Sequence, residues 1–350
     1  MILNSTKSLN ESTDPHSKLL GMIRKEVIEK SLLDLPKKEE VDILQMLIQM
    51  IEVKDKNSLN DAECAYFAFK WIEKNIEFDF KGKDDPSEIY NSGIGSSLGL
   101  SSLFNRICSF LKVESDSISG YIKFHNVTNI EFIEKMDFSW NYIVIDKENY
   151  LLDVSFTSFL YKNLKTNFPN EDAYFGMNPE NFINYHFPKE SKFQFLSEPY
   201  TIEKFDSMAY RVFFFSGLGF KTISPNSKEI SIGSKIILTF DETIDFDVTS
   251  EILTYESHII NHECIISKGK VEIELNLKDE KLFVIGIGVK IKNMEDTFPI
   301  AFYKFNNQKK KKNFLDSKKM IQSQLDMKKP NYFLSKTFNK VKKLNKDLLG

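Results

Sequence analysis

Residues 90–111, YNSGIGSSLGLSSLFNRICSFL, change character half-way along. The front is rich in glycine and serine, and the back sets Leu100, Leu103, Phe104, Ile107 and Leu111 at three- and four-residue intervals. That spacing predicts a loop that tips into an amphipathic helix. Unpaired N–H groups and the dipole at a helix start favour negative charge, so the junction suits either a phosphate cradle or a nucleophile. The cradle is disfavoured. Gly93, Gly95 and Gly99 spell G-x-G-x-x-x-G, one residue too long for the dinucleotide fingerprint, and the preceding KGKDDPSEIYNS (81–92) reads as charged and turn-like where that motif needs a buried strand. What remains is a nucleophile at the helix start, carried by the hydroxyl of Ser96 or Ser97.

Upstream, three stretches carry helical spacing: KLLGMIRKEVIEKSLLDL (18–35), EEVDILQMLIQMIEV (39–53) and SLNDAECAYFAFKWIEKNIEF (58–78), the last capped by Asn60 or Asp61. Downstream the period falls to two, in SGYIKFH (119–125), WNYIVID (140–146) and NYLLDVSF (149–156), with a tight turn at DKEN (146–149). Helices followed by strands predict an α+β domain with an antiparallel sheet. A loop-rich aromatic stretch with four prolines (167–205) is expected to wrap it. From Ala209 to Phe305 short alternating segments with turn residues between them, and nothing helical, read as a small β-sandwich. The expected layout is a flexible start with an Asp14-Pro15 turn (1–15), the α+β domain (16–208), the β-sandwich (209–307) and a basic tail (308–350).

The chain has 350 residues, 41% hydrophobic and 28% charged, enough apolar material for two cores. The opening MILNSTKSLNESTDPHSK lacks the basic and apolar regions of a secretory signal, and no apolar run approaches the ~18–20 residues of a membrane span. A cytoplasmic protein is expected, with Cys64, Cys108 and Cys264 as reduced thiols and the sequons at Asn4, Asn10 and Asn126 without meaning. The net charge of −3 conceals an asymmetry: from Lys309 onward the chain carries 13 Lys and 3 Asp, about +10, which leaves about −13 on the rest. In LSKTFNKVKKLNKDLL (334–349) the residues Leu334, Phe338, Val341, Leu344 and Leu348 fall on one helical face and lysines on the other.

WIEKNIEFD (71–79), GSSLGLSSLFNRIC (95–108), SGYIKF (119–124), FSWNYIV (138–144) and LLDVSFTS (151–158) follow one another in that order. The succession resembles the transglutaminase-like fold, and within it the kyphoscoliosis-peptidase type. That type has W-I-x-x-x-I-x-Y-D, a nucleophile segment G-V-C-x-G-Y-A-x-L-F-x-x-L-C, a G-Y strand, H-A-W-N and a D-x-T-W-like turn. NPENFINYHFPKESKFQFL (178–196) is similar to its P-x-x-F-I-x-x-H-F-P segment, with Phe193 in a tryptophan position. The resemblance covers roughly residues 60–220. It implies a papain-like α+β domain continued by an immunoglobulin-like β-sandwich. It also implies that the catalytic cysteine, histidine and aspartate positions fall on Ser97, Phe138 and Asp153.

Two of those three have changed type. In a Cys-His-Asp arrangement the thiolate attacks a carbonyl, the imidazole takes and returns the proton, and the carboxylate fixes the imidazole. A serine hydroxyl depends more on a neighbouring base than a thiol does, and Phe138 cannot be that base. Losing general-base help costs ~10²–10⁴-fold, and triad knockouts reach ~10⁶-fold. The expectation is a natural loss of activity, with an apolar ring filling the former imidazole site near Trp140 and Asp153 serving as a hydrogen-bond acceptor in its turn.

Other residues have rival readings. His125 is either a replacement base folded over Ser97 or a surface histidine in its HNVTN turn; His186 is either a base or a hydrogen-bonded structural histidine. His258, His262 and Cys264 in HIINHEC could form a three-ligand metal site, but the spacing is wrong for common zinc motifs, and a solvated sandwich face is the plainer reading. No metal or cofactor is expected. The lysine tail suits an anionic membrane, an acidic protein surface or solvation alone; nucleic acid is not expected, since no aromatic stacking pattern accompanies the lysines. The function expected is a non-catalytic binding or scaffold module, and the resemblance implies a cytoskeletal partner or an extended peptide. The alternative is a hydrolase or acyltransferase using Ser97 with a relocated histidine base.

Overall fold

A computed structural model describes residues 14–124, 134–164, 170–231, 234–240, 246–254, 259–262, 264–267, 269–274, 282–291 and 297–305. The Asp14-Pro15 pair, expected as a turn, opens helix α1 (Pro15–Gly21): the Asp14 side chain accepts from the Ser17 N–H, and the proline sits where a helix needs no donor. Helices α2 (Lys25–Leu33), α3 (Ile43–Asn57) and α4 (Asp61–Asn75) follow. Capping boxes start α3 (Asp42 with Gln45) and α4 (Asn60 with Glu63). Residues 62–73 of α4 are all buried, so α4 is the central helix. Its Trp71 stacks on Tyr90 at 6.0 Å.

After α4 come strand β1 (Glu77–Lys83), helix α5 (Pro86–Ser92), strand β2 (Ile94–Gly95) and helix α6 (Ser97–Phe110). KGKDDPSEIYNS is thus the end of a strand and a helix rather than turns. Asp85 caps α5, Pro86 occupies its first turn, and Gly93 ends it at φ +73°. β1 pairs in parallel with β2, Phe78 opposite Gly95. A side chain at Gly99 would collide with the Lys83 carbonyl and with Ile89, so this glycine lets the first turn of α6 press against the chain leaving β1.

The sheet behind α6 has the order β6-β5-β4-β3-β7, antiparallel throughout, with β3 (Ser115–Phe124), β4 (Glu134–Ile145), β5 (Glu148–Leu152), β6 (Phe175–Met177) and β7 (His186–Pro188). Asp146 and Lys147 both take positive φ, the tight hairpin turn expected there. β5 stops earlier than NYLLDVSF suggests. Asp153 accepts from the N–H groups of Ser155 and Phe156 and so starts helix α7 (Val154–Leu164) where alternation predicts more strand. A buried polar layer ties α6 to the sheet: Ser101 Oγ lies 2.7 Å from Ser117 Oγ, and the Asn141 amide donates to the Ser101 carbonyl and to Asn105 Oδ1.

Short helices α8 (Pro179–Phe182) and α9 (Ile202–Ser207) lie in the aromatic stretch. Beyond it the described residues form two sheets. One holds 210–211, 229–230, 246–254, 259–262, 282–291 and 297–305; the other holds 220–224, 235–240, 264–267 and 270–274. The exception to the all-β expectation is a single helical turn, Phe214–Gly217. There the aromatic run folds back so that Phe213 meets Phe156 and Phe159. Buried Ile236, Leu238, Val271 and Ile273 of one sheet, and Ile287, Val289 and Ile300 of the other, belong to a single hydrophobic cluster with the helical core. Residues 1–13 and the basic tail lie outside the described residues. No helix among those described is long and apolar enough to cross a membrane.

Candidate functional site

Ser96 is the N-cap of α6. Its Oγ accepts from the Gly99 N–H and donates to the carboxylate of Asp84, which fixes its rotamer and commits its proton. Ser97 is therefore the hydroxyl of the pair with a proton to spare. It is half-buried at the first helical position, and its Oγ accepts from the backbone N–H of Ser139 at 3.3 Å. That contact ties the start of α6 to β4, one residue past Phe138.

Phe138 is buried, opposite Gly120 in the β3–β4 register. Its ring lies 5.7 Å from Phe78, 6.3 Å from Phe80, 5.2 Å from Phe156 and 6.0 Å from the imidazole of His186. Trp140, which sequence reasoning puts beside Phe138, meets that same imidazole at 4.9 Å. The gap between α6, β1 and β4 is an aromatic box.

Asp153 is not alone, contrary to the expectation that it lacks a histidine. Its Oδ1 takes the two N–H groups at the start of α7, and its Oδ2 lies 2.7 Å from His186 Nε2, with both side chains fully buried. With the carboxylate as acceptor, Nε2 is the donor of this bond. Among the described residues nothing in the protein hydrogen-bonds Nδ1. Phe182 stacks on the imidazole at 4.1 Å and Phe156 flanks it, tilted, at 5.1 Å. His186 arrives on β7 through its pairing with Ile122 of β3, thirty-three residues after Asp153. Sequence reasoning named each residue but not the pair; the signal was present in the HFP segment, whose histidine alternates with Phe187 and so faces the buried side.

The structure thus brings Ser97 against the Phe138 segment of β4, and the Asp153–His186 pair beside the Phe138 ring. It does not join Ser97 to an imidazole, because the free nitrogen of His186 has no such partner. His125 lies outside the described residues, as does His258. His262 ends one strand and Cys264 begins the next. Among the described residues no group of three His, Cys, Asp or Glu could hold a metal ion. The buried thiols offer no substitute nucleophile: burial pushes Cys64 up to about 11 and Cys108 higher still, so both stay protonated at neutral pH.

No family model matches the chain. Two curated proteins are similar to it. One is the kyphoscoliosis peptidase of Homo sapiens, 24% identical over 227 residues, covering 60% of this chain and 34% of that protein. The other is the kyphoscoliosis peptidase of Mus musculus, 24% identical over 213 residues, covering 58% and 32%. The chain spans about a third of the length of these relatives. A solved structure described as "Crystal structure of a TGase" is 12% identical, covers 43% of this chain and 35% of that one, and aligns with a TM-score of 0.23. Over about 60% of its length the chain is thus similar to kyphoscoliosis peptidases.

Proposed function

We propose that this protein is a catalytically inactive transglutaminase-like protein of the kyphoscoliosis-peptidase type, a binding or scaffold module whose cleft holds an extended peptide or protein segment without cleaving it. Ser97, Phe138 and Asp153 are read as the degenerate positions of a Cys-His-Asp triad. One observation carries the reading. Phe138 directly precedes Ser139, whose N–H donates to Ser97 Oγ, and its buried ring offers no proton acceptor. The acid survives, but it is spent on His186, whose other nitrogen makes no bond to Ser97. Without a base the barrier rises by roughly 3–8 kcal/mol, and helix-start N–H groups alone do not recover that.

The strands from 209 to 307 are read as an immunoglobulin-like β-sandwich that extends the binding surface, and the tail as a segment that seeks a negatively charged surface. By analogy with the named relatives the first partner to try is cytoskeletal, which is an argument from family alone.

A serine-reactive fluorophosphonate probe tests inactivity. The expected result is no labelling of Ser97; labelling that vanishes in Ser97→Ala would establish a hydrolase or acyltransferase instead. The placement of the triad is tested separately by combining Ser97→Cys with Phe138→His. Thiol alkylation by iodoacetamide should become faster at pH 7 than in Ser97→Cys alone. Equal rates in a folded double variant would remove the placement.

A further inference from the structure

Tyr142 stands further along β4 than Phe138, on the other side of the strand from the buried Asn141 and Ile143, and is itself half-buried. A turn from a later part of the chain brings two more rings to it. The chain leaving β7 is pinned to β3 by the Lys189 N–H, which donates to the Ser119 carbonyl, and then makes a 3₁₀ turn, Ser191–Gln194. The side chain of Gln194, buried, fixes that turn: its Nε2 donates to the Tyr200 carbonyl at 2.9 Å and its Oε1 accepts from the Tyr200 N–H at 2.7 Å. Held in this way, Phe193 and Phe195 lie 5.9 and 5.5 Å from the Tyr142 ring and 6.3 Å from each other. Phe195 has φ +52°, a left-handed backbone that a bulky side chain rarely adopts. Strain of this kind collects at ligand clamps, where the surrounding contacts sustain it.

The planes of the three rings differ by 35°, 61° and 78°, so they form a corner rather than a stack, and all three are half-buried. Centroids this close together let one cation stand within about 6 Å of each, the reach of a cation–π contact. The surrounding charge favours one. Asp116 is exposed directly opposite Tyr142 in the β3–β4 ladder, and Glu114 is exposed just before that strand. Burial raises the Tyr142 phenol, Asp116 and Glu114 raise it further, and Lys192 opposes them. The Lys192 ammonium lies 4.6 Å over the Phe193 ring, so that ring face already accepts a cation. Lys192 pairs with Glu190 at 2.8 Å with both side chains well exposed, a contact that water weakens and a ligand can displace. The shape of the corner selects among cations. A planar guanidinium stacks on a single face and a bare ammonium holds its water, whereas a quaternary ammonium is rounded, with an apolar surface.

We propose that Tyr142, Phe193 and Phe195 bind the trimethylammonium group of a methylated lysine on a protein partner, with Asp116 and Glu114 supplying the counter-charge. A choline headgroup carries the same cation, but it also brings a phosphate, which those two carboxylates repel. The site uses neither Ser97 nor Phe138, so it stands whether or not the chain is an enzyme.

Saturation-transfer NMR on the full chain tests it, with N-acetyl-trimethyllysine methylamide as the probe. Its N-methyl signal should take up saturation. The unmethylated lysine amide, and the neutral analogue with carbon in place of the charged nitrogen, should each bind at least about fivefold more weakly. Phe193→Leu keeps an apolar side chain but removes the ring, and should weaken the probe at least about fivefold with the circular dichroism spectrum unchanged. Asp116→Asn, at an exposed position, should weaken it about twofold or more, and it carries the comparison alone if Phe193→Leu loses its fold. Equal binding of the neutral analogue would mean an apolar patch without selectivity for charge. Binding unmoved by both substitutions would put the probe elsewhere, and phosphocholine binding more tightly than the probe would make a lipid headgroup the occupant. Each of these results, like an absence of saturation transfer, overturns the proposal.

Discussion

At Phe138 a ring that cannot take a proton lies 6.0 Å from an imidazole that an acid already holds. The chemistry of the pocket turns on these few atoms. The Asp153 carboxylate has three hydrogen-bond contacts, and all of them are buried. Replacing it by alanine strands the His186 N–H in hydrocarbon and uncaps α7, together on the order of 3 kcal/mol. Urea unfolding should show that loss in Asp153→Ala and a smaller one in Asp153→Asn, which keeps an acceptor. A loss below about 1 kcal/mol in the alanine variant would mean that the pair does little for stability. The choice of Ser97 over Ser96 also belongs to this scale. Both lie at the helix start in the sequence, but only the folded chain commits Ser96 to the Asp84 carboxylate and turns Ser97 toward β4.

The element that positions the site is α6, and its approach to the end of β1 depends on Gly99. In isolation Gly99→Ala should favour the helix by about 1 kcal/mol. Against the Lys83 carbonyl and Ile89 the added carbon has no room, and forcing it in costs ~1–3 kcal/mol. The expected outcome is net destabilisation with the start of α6 displaced, seen as a lower thermal midpoint than for Ser102→Ala on the same helix. A raised midpoint in Gly99→Ala would refute the close approach. Most elements were legible beforehand: the three helical stretches upstream, α6 itself and the hairpin at DKEN come from spacing and turn chemistry that act locally, although the first stretch divides into α1 and α2. α5 and α7 were not. Each follows directly on a strand and starts at an aspartate cap, Asp85 and Asp153, which looks like an ordinary turn residue until the N–H groups it accepts from are seen.

For the molecule as a whole, β3 is tied to the chain beyond α9 by Lys123. This lysine is 6% exposed; its Nζ donates to the Met208 carbonyl at 3.3 Å and lies 4.4 Å over the Phe205 ring. Burial pushes it down to about 7, with Lys228 and Arg211 adding to the shift and Asp206 opposing it. The depressed value means that the folded state carries a desolvation cost, complete below about pH 7. That cost is relieved as the pH rises from about 7 toward the unfolded value near 10.4, because the folded amine releases its proton first. Lys123→Met should therefore gain a few kcal/mol over the parent at pH 6 and progressively less by pH 9, measured by denaturant unfolding at each pH. A constant difference would mean the amine is not buried as described. The sequence by itself determined the α+β class of fold and the order of its helices and strands, since periodicity and residue type are local properties. Only the tertiary structure decided that Asp153 belongs to His186, that Ser97 rather than Ser96 faces β4, and that Lys123 is buried. Those facts depend on which distant strands pair, and strand pairing is fixed by packing of the whole core rather than by any one segment.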